Sequence, residues 1–279
     1  MTETEKKAVG RYLDWHTGIL LETDGKMGIY RKESGKLVYK EKADSEDGYL
    51  GMYLFLMGKY LEKTEITDLP EYWKKGISLA LKKIQSLMQD GITQVSEENT
   101  TAYLMDNLEV WRGLYELELA RLKDMQAISE MRKKIQAQIE KTFWDDANQR
   151  WRIIGNSDLY DQTEFYPDGV AQIYPLICEF PVKEKKKQKI LYDQFTERFQ
   201  WQKLNKKRTG FLWAMTGMAA AQMGDINNLV ELIGNYEAEY CENRKYPLYT
   251  GEAGWICMEC GKLYGLYERK IKTGFILCA

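Results

Sequence analysis

Histidine is almost missing: the 279-residue chain has one, His16. Chemistry that uses imidazole as acid or base therefore has a single candidate, and a lone histidine is more simply read as structural. Proline is also scarce, five residues, which leaves long stretches free to run as helix. The formal net charge is only -2, so no basic excess points to nucleic acid. No apolar run approaches the ~20 residues of a membrane span. Cysteine is few and odd in number, five, scattered at Cys178, Cys241, Cys257, Cys260 and Cys278, which is no disulfide framework. Cys257 and Cys260 form a CxxC, but no second pair or histidine cluster completes a zinc site. The apolar helix around them predicts buried free thiols, and no metal or cofactor is expected. The first residues lack the basic-then-apolar pattern of a signal peptide. The sequence as given is thus expected to be cytoplasmic, or secreted if a leader precedes it.

Helical periodicity fills most of the chain. A first helix is expected from about Thr4 to Trp15, then a β-hairpin from Gly28–Tyr30 and Lys36–Tyr39 around the turn signal Ser34-Gly35. Further helices are expected at about 46–62, 69–89, 102–121, 123–143, 167–180, 183–199, 209–223, 225–241 and 252–267. Asp68 followed by Pro70 and Glu71 reads as a cap, an early helical proline and a capping-box acid. Gly224-Asp225 stops one helix and caps the next. Pro175 should kink or shorten its helix. With no linker of Pro, Gly or Ser, residues 1–279 read as one domain.

Two kinds of helix alternate. Glu71 to Gln89, Lys123 to Lys141, Lys183 to Gln200 and Asp225 to Glu239 are charged and amphipathic. The run Lys183 to Lys189, with Glu184 and Gln188, reads as a solvated face. Others are apolar nearly all round: Tyr49 to Met57, Gly169 to Tyr174, Leu212 to Ala221, Ala253 to Cys257. A helix of that kind must be covered on all sides. Alternation with short loops describes an inner and an outer ring, an all-α toroid of about five to six helical hairpins.

If the inner helices run the same way, their N-termini meet at one end. Those starts carry acids beside aromatics: Asp44, Glu46, Asp47 and Tyr49; Asp106, Glu109 and Trp111; Phe165, Tyr166 and Asp168; Trp213; Glu252 and Trp255. Aromatic faces suit the apolar face of a pyranose, and carboxylates accept hydrogen bonds from its hydroxyls. Two carboxylates also suffice for glycosidic hydrolysis, one as acid, one as base or nucleophile. The bland reading is that first-turn acids favour the helix dipole and cap free N–H groups. Asp44 is the expected cap of its helix, with Asp47 three residues on.

These motifs resemble the six-hairpin, (α/α)6-toroid glycosidase superfamily, whose members are typically bacterial. Ser45-Glu46 followed by Gly51-Met52 is similar in spacing to the Ser-Glu-Gly…Gly-Met signature of glycoside hydrolase family 8, where the Glu is the general acid. The resemblance implies that role for Glu46. Asp47 stands where that signature has glycine, which shifts attention to Asp44 and Asp47. Asp106-Asn-Leu-Glu109 and Tyr166-Pro-Asp168-Gly-Val-Ala-Gln172 look similar to motifs of uncharacterised bacterial six-hairpin proteins.

The function expected is a glycoside hydrolase acting on a poly- or oligosaccharide. Asp47, Asp106, Asp168 and Glu46 are the candidates for catalysis. Asp44, Glu109, Trp111, Tyr166, Gln172, Trp213, Glu252 and Trp255 are the candidates for holding the carbohydrate ligand. The alternative is a non-catalytic saccharide-binding or accessory protein on the same fold. A lyase or epimerase is disfavoured by the shortage of histidine.

Overall fold

A computed structural model describes the chain except residues 67, 121, 123–125, 156, 158–163, 205–212, 245–248 and 273–279, and except the side chains of 32, 36, 37 and 269–272. The described residues form ten α-helices and short antiparallel strand pairs. No helix among them is long and apolar enough to cross a membrane. The chain packs as two compact units, Met1–Asp145 with Arg152–Asp158, and Asp146–Trp151 with Leu159–Ala279.

In the first unit, α1 (Glu3–Glu22) opens with a reciprocal capping box: Glu5 N–H donates to Thr2 Oγ1 and Thr2 N–H donates to Glu5 Oε2. It continues a full two turns past Trp15, where the sequence reading ended it. The buried positions Leu13, His16, Thr17 and Leu20 explain this, since they carry one stripe straight through. Strands β1 (Gly28–Glu33) and β2 (Lys36–Lys42) form the expected hairpin. Ser34 and Gly35 both have positive φ, 49° and 82°, the type I′ geometry that matches strand twist.

Helices α2 (Glu46–Thr64) and α4 (Leu104–Leu119) are the buried pair, lying against each other along their length. Glycines set their approach. A Cβ on Gly51 would come within 2.7 Å of Val110 backbone, one on Gly58 within 2.6 Å of Glu116 O, and one on Gly113 would overlap the Gly51 carbonyl. The matched order of these contacts, 51 with 110 and 58 with 116, makes the two helices parallel. Their N-termini therefore lie side by side. Buried Glu116 pairs with Arg112 at 2.5 Å and with Lys59 at 2.7 Å, joining the far ends.

Helices α1, α3 (Glu71–Leu87) and α5 (Gln126–Phe143) carry the charged outer faces of this unit. Pro70, not Asp68, precedes the first residue of α3, and it offers no side-chain cap; Asp68 is exposed instead. A second tight turn, Asp90-Gly91 with φ 53° and 91°, ends α3 earlier than periodicity suggested. It joins β3 (Met88–Gln89) to β4 (Ile92–Thr93).

In the second unit, Phe165–Gly169 forms a wide turn, with a cis Tyr166–Pro167 peptide, that leads into α6 (Val170–Ile177). Pro175 does shorten this helix, which ends two residues later. Next come α7 (Lys185–Phe199), α8 (Thr216–Met223), α9 (Ile226–Tyr236) and α10 (Thr250–Lys272). Gly224 at φ 69° closes α8, and the Asp225 carboxylate accepts the Asn228 N–H to open α9, as the sequence predicts. Gln188 departs from the solvated face expected of it. It is buried, where its Oε1 accepts from Trp151 Nε1 at 2.9 Å. Lysines 185, 186 and 189 around it are exposed.

Alternation of covered and charged helices holds for α2, α4, α6 and α8. It fails at α10. Gly254, Cys257, Met258, Cys260 and Tyr264 are all exposed, so the expected fifth inner helix has an open face. Among its described side chains, only Glu252 and Glu259 are buried. The buried thiols expected at Cys257 and Cys260 are thus corrected to exposed ones. A maleimide or disulfide reagent should label Cys241, Cys257 and Cys260 in the native protein well before buried Cys178. Mass spectrometry of peptides after a short pulse checks this, and protection of Cys257 and Cys260 would contradict the exposed face.

Candidate functional site

The adjacent N-termini of α2 and α4 gather four carboxylates in the first unit. Ser45, rather than Asp44, caps α2, its Oγ accepting the Gly48 N–H at 3.1 Å. That turn points Asp47 inward. Asp47 is fully buried, and its two oxygens accept from Ser45 Oγ at 2.9 Å and Thr93 Oγ1 at 2.6 Å. Thr93 is itself fixed to α4: its N–H donates to Asn107 Oδ1 at 2.7 Å, and Asn107 Nδ2 donates to Thr93 O and Tyr103 O. The β3–β4 turn thus fastens the starts of both helices.

Asp106 on the first turn of α4 and Glu109 on the second are half-buried; Asp44 is exposed. Gly48 makes room for them, because a Cβ there would lie 2.6 Å from Glu109 Oε2 and 3.5 Å from Asp106 Oδ1. Burial first, then the charges of Asp47 and Glu109, push the Asp106 carboxyl up to about 8. Burial also raises Asp47, against the pull of the Thr93, Ser45 and backbone donors. Tyr49 is open to solvent, and its hydroxyl is raised by burial together with Asp44, Glu109 and Tyr12. Tyr12 is exposed as well. The cluster therefore combines a carboxyl that keeps its proton at neutral pH, a second half-buried carboxylate, and two open tyrosine rings.

Other expected residues of this unit lie elsewhere. Glu46 is buried and pairs with Lys42 at 3.3 Å, in a hollow shared with Tyr39 and Glu98. Trp111 is core rather than rim: it is 2% exposed, stacked on Tyr115, with its Nε1 donating to Gln136 on α5 at 3.2 Å. His16 is packed edge-on to Tyr53, and burial lowers it to about 4, so it is neutral at physiological pH.

In the second unit Asp168 is buried and lines a cleft of about 320 Å³. Arg150, Gln194 and Arg198 supply its polar wall, and Phe195 and Phe199 its aromatic one. Gln172 borders the cleft, but its amide is taken up by the Trp151 backbone, accepting at 2.8 Å and donating at 2.9 Å. Tyr166 is exposed and lies 4.7 Å from the buried Trp213 ring. Glu252 acts as a cap across the chain, accepting the Ala214 N–H at 2.8 Å ahead of α8. Trp255 packs on Ala214, Tyr236 and Tyr240. Gly210, Phe211 and Leu212, the basic residues Lys206 to Arg208, and Tyr246 to Leu248 lie outside the described residues, as does Cys278.

Several contributors were missed in the sequence. Tyr12 precedes the motif by more than thirty residues and carries no local signal. Thr93 and Asn107 meet only because the β3–β4 turn folds back on α4, although Asp90-Gly91 is a turn signal visible in the sequence. Glu259 is fully buried beside Gly217, and burial with the Glu252 charge raises it to about 9. No group of three or more His, Cys, Asp or Glu among the described residues is arranged to hold a metal ion.

No protein-family model matches the chain, and no curated protein matches its sequence.

Proposed function

We propose that the chain is a glycoside hydrolase of the (α/α)-toroid kind, acting on a poly- or oligosaccharide at the α2–α4 acidic cluster. One observation carries the reading. A carboxyl raised to about 8 stands beside a second half-buried carboxylate at the paired helix starts, with open tyrosine rings adjoining. Glycosidic hydrolysis needs such a split pair, a proton donor for the leaving oxygen and a base or nucleophile. Asp106 takes the role of acid and Glu109 that of base or nucleophile. Tyr49, Tyr12 and Asp44 hold the sugar, rings against its apolar face and carboxylate on its hydroxyls. With His16 neutral and buried, carboxylates are the groups left for proton transfer in this cluster.

The experiment is a screen of polysaccharides and chromogenic glycosides, reading new reducing ends or released chromophore at several pH values. Turnover of at least one substrate is expected. Binding of a glycan without turnover moves the reading to a saccharide-binding protein. Neither binding nor turnover across the panel overturns it.

A further inference from the structure

We propose that the cleft of the second unit, walled by Asn148–Arg150, α7 and the start of α6, binds a small hydroxylated monocarboxylate, the class of the free sugar acids. This site is independent of the hydrolase reading and uses no residue of the α2–α4 cluster. Two amides fix its walls. Gln172 on α6 holds the Trp151 backbone at both N–H and C=O, at 2.8 and 2.9 Å, which seats the neighbouring Arg150. Gln188 on α7 is buried; its Nε2 donates to Gln172 O at 2.7 Å and its Oε1 accepts from Trp151 Nε1. The three walls therefore share one hydrogen-bonded frame, so the cleft is formed before any ligand arrives. Gly169 closes the floor. A Cβ there would lie 2.6 Å from Phe199 Cε2, and its absence lets Phe195 and Phe199 press against the start of α6. The cleft, about 320 Å³, is at the small end of the about 300–1,000 Å³ usual for small-molecule sites, room for one substituted ring.

The charged lining selects the ligand. Arg150 and Arg198 bring two guanidinium groups, and Asp168 brings one carboxyl. Two cations against one acid leave an excess of one positive charge, which a monoanion balances and a phosphate dianion overshoots beside Asp168. Arg198 is exposed, has its guanidinium over the Phe199 ring at 5.3 Å, and pairs with no carboxylate among the described residues. A planar carboxylate fits the guanidinium fork through two parallel hydrogen bonds. Beside it, the amides of Asn148, Gln149 and Gln194 supply both donors and acceptors, the lining that hydroxyls need. Leu191, Phe195 and Phe199 give an apolar side for the face of a ring.

The test is isothermal titration calorimetry of the whole chain with D-glucuronate and D-galacturonate, beside glucose, glucose 6-phosphate and acetate at equal ionic strength. At least one uronate should bind about tenfold or more tighter than each of the other three. Arg198→Gln should weaken that uronate by about tenfold or more. Gln194→Trp, which fills the cleft from an exposed position, should abolish its binding. Both changes are at exposed residues, so the fold should survive them. Lys189→Gln removes a charge from the same helix outside the cleft and should change nothing. No uronate binding overturns the proposal, as does glucose, acetate or glucose 6-phosphate binding as tightly as the uronate. Uronate binding that survives both Arg198→Gln and Gln194→Trp overturns it too, and so does an equal loss in Lys189→Gln. Because no turnover is read, failure here leaves the hydrolase reading standing, and absence of hydrolysis leaves this result standing.

Discussion

Asp106→Asn is expected to cut turnover of any glycan the parent cleaves by roughly 10²–10⁴-fold or more, while making the protein more stable above neutral pH. The first half follows from chemistry. An amide cannot donate the proton that the leaving oxygen needs, and Asp47, the other carboxyl of the cluster that burial raises, is fully buried and cannot replace it. The second half follows from linkage. The folded-state carboxyl is raised to about 8 from the ordinary 3.8 of a free aspartate, so between those limits the folded protein holds more protons than the unfolded chain. Stability then falls as pH rises through that window, because ionising Asp106 forces a charge into a buried, acid-lined place. Asparagine never ionises. At alkaline pH the variant should therefore be more stable than the parent. At pH below the usual carboxylate range the two should melt together. Thermal melts at acid and alkaline pH, beside initial rates on the parent's substrate, check both halves. Parental turnover in the variant would remove Asp106 from catalysis, and a loss of stability at high pH would remove the buried, raised carboxyl.

That opposition between activity and stability is what strained active sites show when their key group is neutralised. It also separates Asp106 from other buried acids of the chain. Glu46 gives its carboxylate to Lys42, and Glu252 gives one oxygen to the Ala214 amide, so losing either should cost stability rather than restore it.

Local signals were enough for much of this. The hairpin at Ser34-Gly35, the stop and start at Gly224-Asp225 and the shortening at Pro175 each rest on backbone rules that act within a few residues. Acids at helix starts were legible as candidates for the same reason. Which of them face a ligand was not. Asp47 and Asp106 sit at equivalent positions of successive buried helices, yet the turn at Ser45 buries one, and Gly48 leaves room for the other. That difference depends on Thr93, brought in by the Asp90-Gly91 turn just past the helix that periodicity placed at 69–89. Tryptophans misled in the same way. Trp111 has the composition of a sugar platform, but one step around the helix turns it to Gln136 and the core. The fifth apolar helix failed because covering it needs a neighbour: Ala253 to Cys257 are apolar enough to be inside, and the face of Cys257 and Met258 is open.

Gly113→Ala should be the most damaging single-methyl change in the first unit, lowering stability by about 3 kcal/mol or more. Alanine is the better helix former, and in an isolated helix the change would gain roughly 1 kcal/mol. Packing decides otherwise. The added Cβ would overlap the Gly51 carbonyl oxygen, which is backbone and cannot swing aside as a side chain would. Gly51 cannot retreat either, because its own Cα side already faces the Val110 backbone, where a methyl would sit at 2.7 Å. Relief requires α2 and α4 to move apart. That would loosen the dense contacts of Leu50, Leu54, Leu108 and Leu114, all fully buried, and lengthen the hydrogen bonds that tie Asp47 to Thr93 and Thr93 to Asn107. For a chain of this size the loss corresponds to a melting temperature on the order of 10 °C below the parent's. Gly224→Ala is the contrast: nothing lies within 4 Å of its would-be Cβ, so only the positive φ of 69° resists, at about 1 kcal/mol. Equal melting temperatures for Gly113→Ala and the parent would show that α2 and α4 do not approach through these glycines. A large drop with the Asp106 titration displaced as well would tie the acid's proton to the same close packing.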